Sequence, residues 1–207
     1  MYISRIKFDI NKDTAKKAIS SPQVLHAIIE NCFNKKNRAL WRLDSINGCL
    51  YLLLVSEAAP NLESIIFQLC EDERAAQAKD YSSFLKSLEN GQKLRFRFKG
   101  NPVHSVSKND GKRGIVTPHV SEFHKMEWLK GKALKNGFAL DNNNFTIVET
   151  GIQQFYKNLN NKPVKISYTT FEGVLIIFDI EYFIKALSYG IGRGKAYGCG
   201  LMTVVKL

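Results

Sequence analysis

Residues 38–59, RALWRLDSINGCLYLLLVSEAA, contain two apolar segments joined by the dipeptide Asn47-Gly48. An Asn-Gly pair between apolar segments is the strongest short-range signal for a β-hairpin, because both residues tolerate the positive φ angles of a tight hairpin turn. The stretch therefore predicts two antiparallel strands. We assign the rest of the chain outward from this hairpin.

Two further elements are predicted on each side of the hairpin. Before it, MYISRIKFDI (1–10) alternates apolar and polar residues imperfectly, as a strand does, and residues 20–36 predict a helix with a proline in its first turn. After it, NLESIIFQL (61–69) predicts a second helix, and QAKDYSSFL (77–85) predicts a short strand. The order strand, helix, strand, strand, helix, strand is that of a ferredoxin-like domain.

The same order of elements recurs in the second half of the chain. A strand, a helix, two strands, a helix and a last strand are predicted at 92–106, 121–137, 145–152, 164–179, 180–190 and 200–207. No low-complexity linker separates the halves, and SLENGQ (87–92) is the favoured boundary. The sequence therefore predicts an α+β fold of two tandem ferredoxin-like domains, residues 1–90 and 91–207.

Residue spacing also predicts which faces of these elements are buried. In the strand that begins the second half, apolar residues alternate with the cations Lys93, Arg95, Arg97 and Lys99, so one face is buried and the other is cationic. In the helix that follows, the predicted buried face contains Phe123, Met126, Leu129 and Ala133.

The charge of the chain points to a polyanionic partner. Lys and Arg outnumber Asp and Glu by 30 to 19, which gives a formal net charge of +11. Such a charge favours RNA, DNA or an acidic membrane surface. The membrane is the weakest of the three, because the longest apolar runs are too short to span a bilayer.

The cysteines favour a cytoplasmic protein. Cys32, Cys49, Cys70 and Cys199 lie far apart and form no C-x-x-C pair. They are typical of reduced, partly buried thiols, and neither a zinc site nor a disulfide framework is predicted. We expect no metal site and no cofactor.

A glycine-rich segment near the carboxyl end has two interpretations. Residues 190–200, GIGRGKAYGCG, carry Arg193 and Lys195 among five glycines. The spacing fits neither a P-loop nor a dinucleotide fingerprint, and the segment follows a helix instead of preceding one. The glycines either let a nucleic-acid backbone approach the main chain or allow tight packing after the helix.

These motifs resemble the CRISPR-associated RAMP proteins, and most closely the CasE-type endoribonucleases of type I-E systems. The resemblance rests on the glycine-rich ending and on further motifs in the same order. These are MYISRI (1–6), ALWRLD (39–44), LRFRFKGNP (94–102), GKR followed by TP and WL (111–129), and FEG (171–173). Together they cover essentially the whole chain, and they imply the same two ferredoxin-like domains.

The resemblance also implies an activity. The family cleaves RNA without metal: a 2′-hydroxyl attacks the adjacent phosphate, which leaves a 2′,3′-cyclic phosphate and a 5′-hydroxyl. This chain is then expected to bind the repeat stem-loop of CRISPR precursor RNA and to cleave at the 3′ base of the stem. It is further expected to keep the mature crRNA and remain as a subunit of the Cascade complex.

The resemblance suggests three catalytic residues. His26 lies at the place of the family's catalytic histidine, and Lys162 and Lys165 occupy positions where relatives carry lysines near the cleavage site. Some relatives carry a tyrosine three residues before the histidine; this chain has Gln23, whose amide is neither a general acid nor a general base. Gln23 is therefore expected at most to position a phosphate or hydroxyl.

The predicted RNA contacts are mainly cations. Beside Gln23 they include Lys35, Lys36 and Arg38 after the first helix, Arg95, Arg97 and Lys99 on the cationic strand, and Lys108, Lys112 and Arg113 in the loop SVSKNDGKRGIVTP (105–118). In the glycine-rich segment they are Gly190, Gly192, Arg193, Gly194 and Lys195. The remaining histidines are interpreted as ordinary surface residues: His104, His119 and His124.

Two alternatives stay open. A non-catalytic RAMP subunit would bind crRNA without cleaving it, which Gln23 favours and His26 disfavours. A basic RNA-binding module unrelated to CRISPR would explain the charge, but not the order of the motifs.

Overall fold

The computed structural model of the chain describes residues 1–106, 114–156 and 163–207. In these ranges the chain forms two four-stranded sheets and one two-stranded hairpin, and all their strand pairs are antiparallel. None of the helices in these ranges has the length and apolar character needed to cross a bilayer.

The first sheet and its helices are built from eight elements. In chain order they are β1 (Tyr2–Lys7), α1 (Asp13–Ser20), α2 (Pro22–Asn31), β2 (Ala39–Ile46), β3 (Cys49–Ser56), α3 (Leu62–Leu69), β4 (Ala76–Asp80) and α4 (Ser82–Lys86). The strands lie in the order β2-β3-β1-β4, as in a ferredoxin-like sheet. The predicted fold is confirmed for this half of the chain.

The predicted hairpin turn is present. Ile46 pairs with Cys49, and the two residues between them have the positive φ angles that such a turn requires, 51° for Asn47 and 75° for Gly48. The sequence pattern missed α1, because that helix is short and mostly polar. Its apolar face is small, because it consists only of the buried Ala15 and Ala18 and the partly buried Ile19.

The second sheet repeats the arrangement with one addition. Its elements are β5 (Lys93–Gly100), β6 (Val103–Val106), β7 (Ile115–Pro118), α5 (Glu122–Lys135), β8 (Phe138–Phe155), β9 (Val164–Ile177), α6 (Ile180–Tyr189) and β10 (Met202–Lys206). The strand order is β10-β5-β9-β8, and β6 and β7 form the separate hairpin between β5 and α5. This half also has the predicted ferredoxin-like order.

The predicted buried face of α5 is wrong at Phe123. Leu129 and Ala133 are buried and Met126 is partly buried, but the side chain of Phe123 is 67% exposed. Phe123 lies in the first turn of the helix, whereas α5 joins the core only from Met126 onward. Helical spacing shows which residues share a face, but not how far along the helix the neighbouring sheet extends.

The two sheets share part of one apolar core. Most residues of the second core belong to the second half of the chain, and its centre is formed by Phe98, Phe138, Phe171 and Phe183. Side chains from the first half join it, and these are Leu40, Val55, Tyr81, Leu85 and Leu88. The first core, under α1, α2 and α3, is separate. The domain limits at residues 90 and 91 stay a prediction.

Candidate active site

His26 lies on α2 at the edge of its buried face. Leu25, Ile28 and Ile29 anchor this helix in the first core, and the His26 side chain is 26% exposed. Its Nε2 atom is 3.3 Å from Oε1 of Glu30, one helical turn further on. The imidazole is thus held at the surface, where it can meet a ligand.

An open cleft of about 490 Å³ lies beside this imidazole. Its walls come from α2, from the segment between α2 and β2, and from the glycine-rich segment before β10. The lining residues are His26, Lys36, Asn37, Arg38, Ala39, Leu40, Glu57, Lys195 and Ala196. The structure therefore brings a histidine together with three predicted RNA-contacting cations, of which Lys195 is distant in sequence.

Two of these cations have defined neighbours. The guanidinium of Arg38 lies 5.4 Å from the centroid of the Tyr189 ring. Nζ of Lys195 donates a hydrogen bond of 2.6 Å to the main-chain oxygen of Tyr189. Burial, and then the positive charge of Arg38, lower the pKa of Lys195. In this arrangement, cationic side chains can contact a phosphate that lies next to the imidazole of His26, which can transfer a proton.

The glycine-rich segment fits both interpretations, each at different residues. Its five glycines all have φ between 74° and 93°. A methyl group on Gly190 would lie 2.7 Å from Cδ2 of Leu40, and one on Gly198 would lie 2.7 Å from Cζ3 of Trp41, so these two glycines are needed for packing on β2. A methyl group on Gly192 would meet only the Trp128 ring, at 3.5 Å. The main chain at Gly192 is thus open to a ligand.

Lys165, one of the two predicted catalytic lysines, does not line this cleft. Lys165 is exposed on β9, and strand alternation places it on the face opposite Ile166, which packs against Cys199 and Phe155. Neither Lys165 nor Gln23 nor Lys35 is among the described residues that line the cleft. Lys162 lies outside the described residues.

The cationic face of β5 is not the open stripe that the sequence predicts. Arg95 is exposed, but Arg97 forms ion pairs with Asp44 of β2 and with Glu172 of β9. Lys99 is buried, and its ammonium group lies 3.7 Å from the centroid of the Tyr168 ring. Burial lowers the pKa of Lys99. The alternation along β5 was right, but neighbouring elements cover or neutralise two of its four cations, Arg97 and Lys99.

Three histidines form a cluster that spacing did not predict: His104 lies on β6, His119 directly follows β7, and His124 lies on α5. The ring centroids of His104 and His119 are 4.6 Å apart, and those of His119 and His124 are 5.9 Å apart. Burial, then His104 and then His124, lower the pKa of His119. The strand register explains the meeting, because His104 pairs with Thr117, two residues before His119. Only a prediction that β6 and β7 pair would have found it.

Four further predicted contacts remain. Lys108, Lys112 and Arg113, in the loop that joins β6 to β7, lie outside the described residues. Arg193 is exposed and lines a smaller cavity of about 110 Å³ with Trp128, Lys132 and His104.

Within the three described ranges, no group of three or more His, Cys, Asp or Glu side chains is arranged to hold a metal ion.

Known proteins resemble the chain over its full length. Cse3, a CRISPR-associated endoribonuclease of Thermus thermophilus, is 23% identical over an alignment of 217 positions, which covers 99% of this chain and 99% of Cse3. CasE, a CRISPR system Cascade subunit of Escherichia coli K12, is 31% identical over 127 residues, which cover 58% of this chain and 61% of CasE. The solved structure of Thermus thermophilus Cse3 bound to an RNA representing a pre-cleavage complex superposes with a TM-score of 0.80 at 22% identity, covering 99% of this chain and 98% of Cse3.

These comparisons confirm the resemblance seen in the sequence motifs. The structural likeness shows that the two-sheet fold is that of Cse3. A sequence model of the family described as CRISPR associated protein matches residues 1–206. The chain therefore belongs to the CRISPR associated protein family.

Proposed function

We propose that the chain is an endoribonuclease that processes CRISPR precursor RNA. It binds the stem-loop of the repeat, cleaves at the 3′ base of the stem and keeps the mature crRNA as a subunit of a Cascade complex in the cytoplasm. The observation that carries this proposal is the cleft that joins His26 to Lys36, Arg38 and Lys195. It lies in a chain that matches an endoribonuclease over 99% of its length.

The cleft supplies a group for proton transfer and cations for charge stabilisation, and metal-independent cleavage needs both. The 2′-hydroxyl loses its proton as its oxygen attacks phosphorus, and the departing 5′-oxygen gains a proton as its bond to phosphorus breaks. The imidazole of His26 can take part in either proton transfer near neutral pH. The cations of the cleft stabilise the negative charge that builds on the non-bridging oxygens. The products are a 2′,3′-cyclic phosphate and a 5′-hydroxyl.

RNA recognition rests on charge outside the reacting groups. A stem of A-form RNA hides its bases in a deep, narrow groove, so that shape and backbone dominate its recognition. The net charge of +11, the exposed Lys35, Arg95 and Arg193, and the basic loop between β6 and β7 fit this kind of binding. We propose these residues as contacts of the stem.

Cleavage of the host's repeat RNA in EDTA tests the proposal. We expect one cut, a 2′,3′-cyclic phosphate on the upstream fragment and a 5′-hydroxyl on the downstream fragment. The matched control is the same RNA with a 2′-deoxy nucleotide before the mapped bond, which should bind equally well and remain intact. A requirement for Mg²⁺ or a 5′-phosphate product would refute this mechanism.

The same experiment separates the alternative of a non-catalytic subunit. Gln23 favours that alternative, because it stands where some relatives carry a tyrosine. Tight binding of the repeat without any cleavage, under conditions in which Cse3 cleaves its own repeat, would support it.

A further inference from the structure

An aromatic ring from the second half of the chain contacts the imidazole of His26. The ring of Tyr197 meets the His26 ring in an edge-to-face arrangement, with centroids 6.3 Å apart and planes inclined by 61°. Tyr197 ends a short 3₁₀ turn, Lys195–Tyr197, in the glycine-rich segment. This turn contacts α2, the helix that carries His26.

The turn holds Tyr197 in a defined place. It is flanked by Gly194 and Gly198, both in the left-handed conformation with φ of 78° and 79°. The main-chain N–H of Tyr197 donates a hydrogen bond of 2.9 Å to the oxygen of Gly194. Gly198 packs so closely on the buried ring of Trp41 that no side chain fits there. The strand β2 thus fixes the turn.

The Tyr197 ring also has support from behind. It packs on Phe155, with ring centroids 4.7 Å apart, and Phe155 is buried. Ile166 and Cys199 belong to the same small apolar cluster. A ring supported in this way has few alternative rotamers, so that it can hold a neighbour in position.

The His26 side chain needs such a neighbour. Its described ion-pair partner, Glu30, is 63% exposed, and an exposed pair of this kind restrains a side chain only weakly. The edge-to-face contact with Tyr197 adds a restraint on the plane of the imidazole. Proton transfer depends on this plane, because the nitrogen lone pair must point at the reacting oxygen.

We propose that Tyr197 is a positioning residue, whose ring sets the orientation of the His26 imidazole for proton transfer. This inference rests on the proposed RNA cleavage by His26. It makes the glycine-rich segment part of the catalytic apparatus, because that segment carries the ring to α2. The orientation of the catalytic group then depends on contact between the two halves of the chain.

The test compares Tyr197→Leu and Tyr197→Phe with the wild type in single-turnover cleavage at saturating protein. Tyr197→Leu removes the ring, and we expect cleavage to be slower by about 10- to 100-fold, as misplacement of a catalytic group causes. Affinity for the uncleavable 2′-deoxy stem-loop should stay within about twofold, since binding comes from many phosphate contacts. Tyr197→Phe keeps the ring and should restore the rate. Tyr182→Leu, which removes an exposed tyrosine of α6, is the matched control and should cleave as the wild type does.

A second readout does not depend on activity. In NMR spectra the His26 ring resonances are identified by their loss in His26→Ala. Their NOEs to neighbouring protons of α2 should indicate one ring orientation in the wild type and in Tyr197→Phe, and an averaged orientation in Tyr197→Leu. Wild-type rates in Tyr197→Leu, or equal losses in both variants, would overturn the inference. A loss of rate that follows a loss of affinity or of thermal stability would overturn it too. If the wild type itself fails to cleave, the proposed function fails, and the NMR comparison still decides whether Tyr197 orients the ring.

Discussion

Arg42 and Asp44 of β2 form a two-point ion pair that is buried between the two sheets. Nε of Arg42 lies 2.8 Å from Oδ1 of Asp44, and Nη2 lies 2.7 Å from Oδ2. The remaining donors of the guanidinium bind the main-chain oxygens of Arg97 and Leu201 and the hydroxyl of Thr203. One side chain of the first sheet thus satisfies acceptors on β5 and at β10 of the second sheet.

Removing the carboxylate of this pair should destabilise the protein strongly. Asp44→Ala leaves the Arg42 guanidinium, which is 1% exposed, without its counter-charge. Breaking one partner of a buried pair lowers the free energy of unfolding by about 3–5 kcal/mol. Urea denaturation measures the loss. The control is Asp13→Ala, which breaks an exposed pair with Lys16 and should leave the unfolding midpoint nearly unchanged. Equal midpoints for the two variants would contradict the role of the buried pair.

Loss of the His26 imidazole should slow cleavage strongly without weakening RNA binding. In His26→Ala the general acid–base contribution is removed, and the single-turnover rate should fall by about 100- to 10,000-fold. Affinity for the stem-loop should stay nearly constant, because one side chain adds little to a sum of many phosphate contacts. His104→Ala serves as the control and should cleave normally. A His26→Ala rate within a few-fold of the wild type would exclude His26 and direct attention to Lys162 and Lys165.

The cations of the cleft should contribute to RNA binding by pairing with phosphates. The double variant Lys36→Gln, Arg38→Gln should weaken binding and reduce the slope of log Kd against log salt by about one for each phosphate left without a cation, because fewer counterions are released. Titrations at several salt concentrations measure this slope. Lys79→Gln, Lys86→Gln removes the same charge at exposed positions outside the cleft and away from the cationic strand, and should keep the wild-type slope. Identical slopes for both pairs would place the RNA elsewhere.

Two glycines of the same segment should respond differently to substitution. Both Gly198 and Gly192 have positive φ, so alanine is strained at either position, by about 1–2 kcal/mol. Only Gly198→Ala also forces a methyl group into the buried ring of Trp41, which adds about 1–3 kcal/mol of overpacking. Thermal unfolding should therefore show the larger loss for Gly198→Ala. We expect Gly192→Ala to lower RNA affinity more than thermal stability. If it lowers thermal stability and leaves RNA affinity unchanged, the role of Gly192 is purely structural.

The histidine cluster should make stability fall in mild acid. The pKa of His119 is lowered from 6.5 in the folded chain, so the unfolded chain binds more protons between 6.5 and the lower folded value. Its contribution to stability is thus complete above about pH 6.5 and is lost as the pH falls below that value. His104 and His124 add to the effect, because their charges oppose protonation of His119. Thermal unfolding of His119→Gln from pH 7.5 to 5.5 should show a shallower decline than the wild type, and a parallel decline would contradict the assignment.

Local signals in the sequence predicted most of the fold. The Asn47-Gly48 turn specifies its own φ angles, so the hairpin of β2 and β3 needed no tertiary information. The order of strands and helices then indicated two ferredoxin-like domains, and the motif order indicated the family. His26 was identified by the same resemblance. Helix α1 was missed, because it has only eight residues, and the small side chains of Ala15 and Ala18 form most of its apolar face.

The sequence alone therefore determined most of the elements, the family and the candidate histidine, since these depend on local propensity and on motifs along the chain. Only the tertiary structure decided what surrounds each side chain. It placed Lys99 against Tyr168 and Arg97 between two carboxylates, and it brought Tyr197 to His26 across 171 positions of sequence. Period-two alternation shows which side chains lie on the same face of a strand, but the element that covers that face comes from a distant part of the chain. Burial, pairing and ring contacts are set by that non-local packing, and no local pattern encodes them.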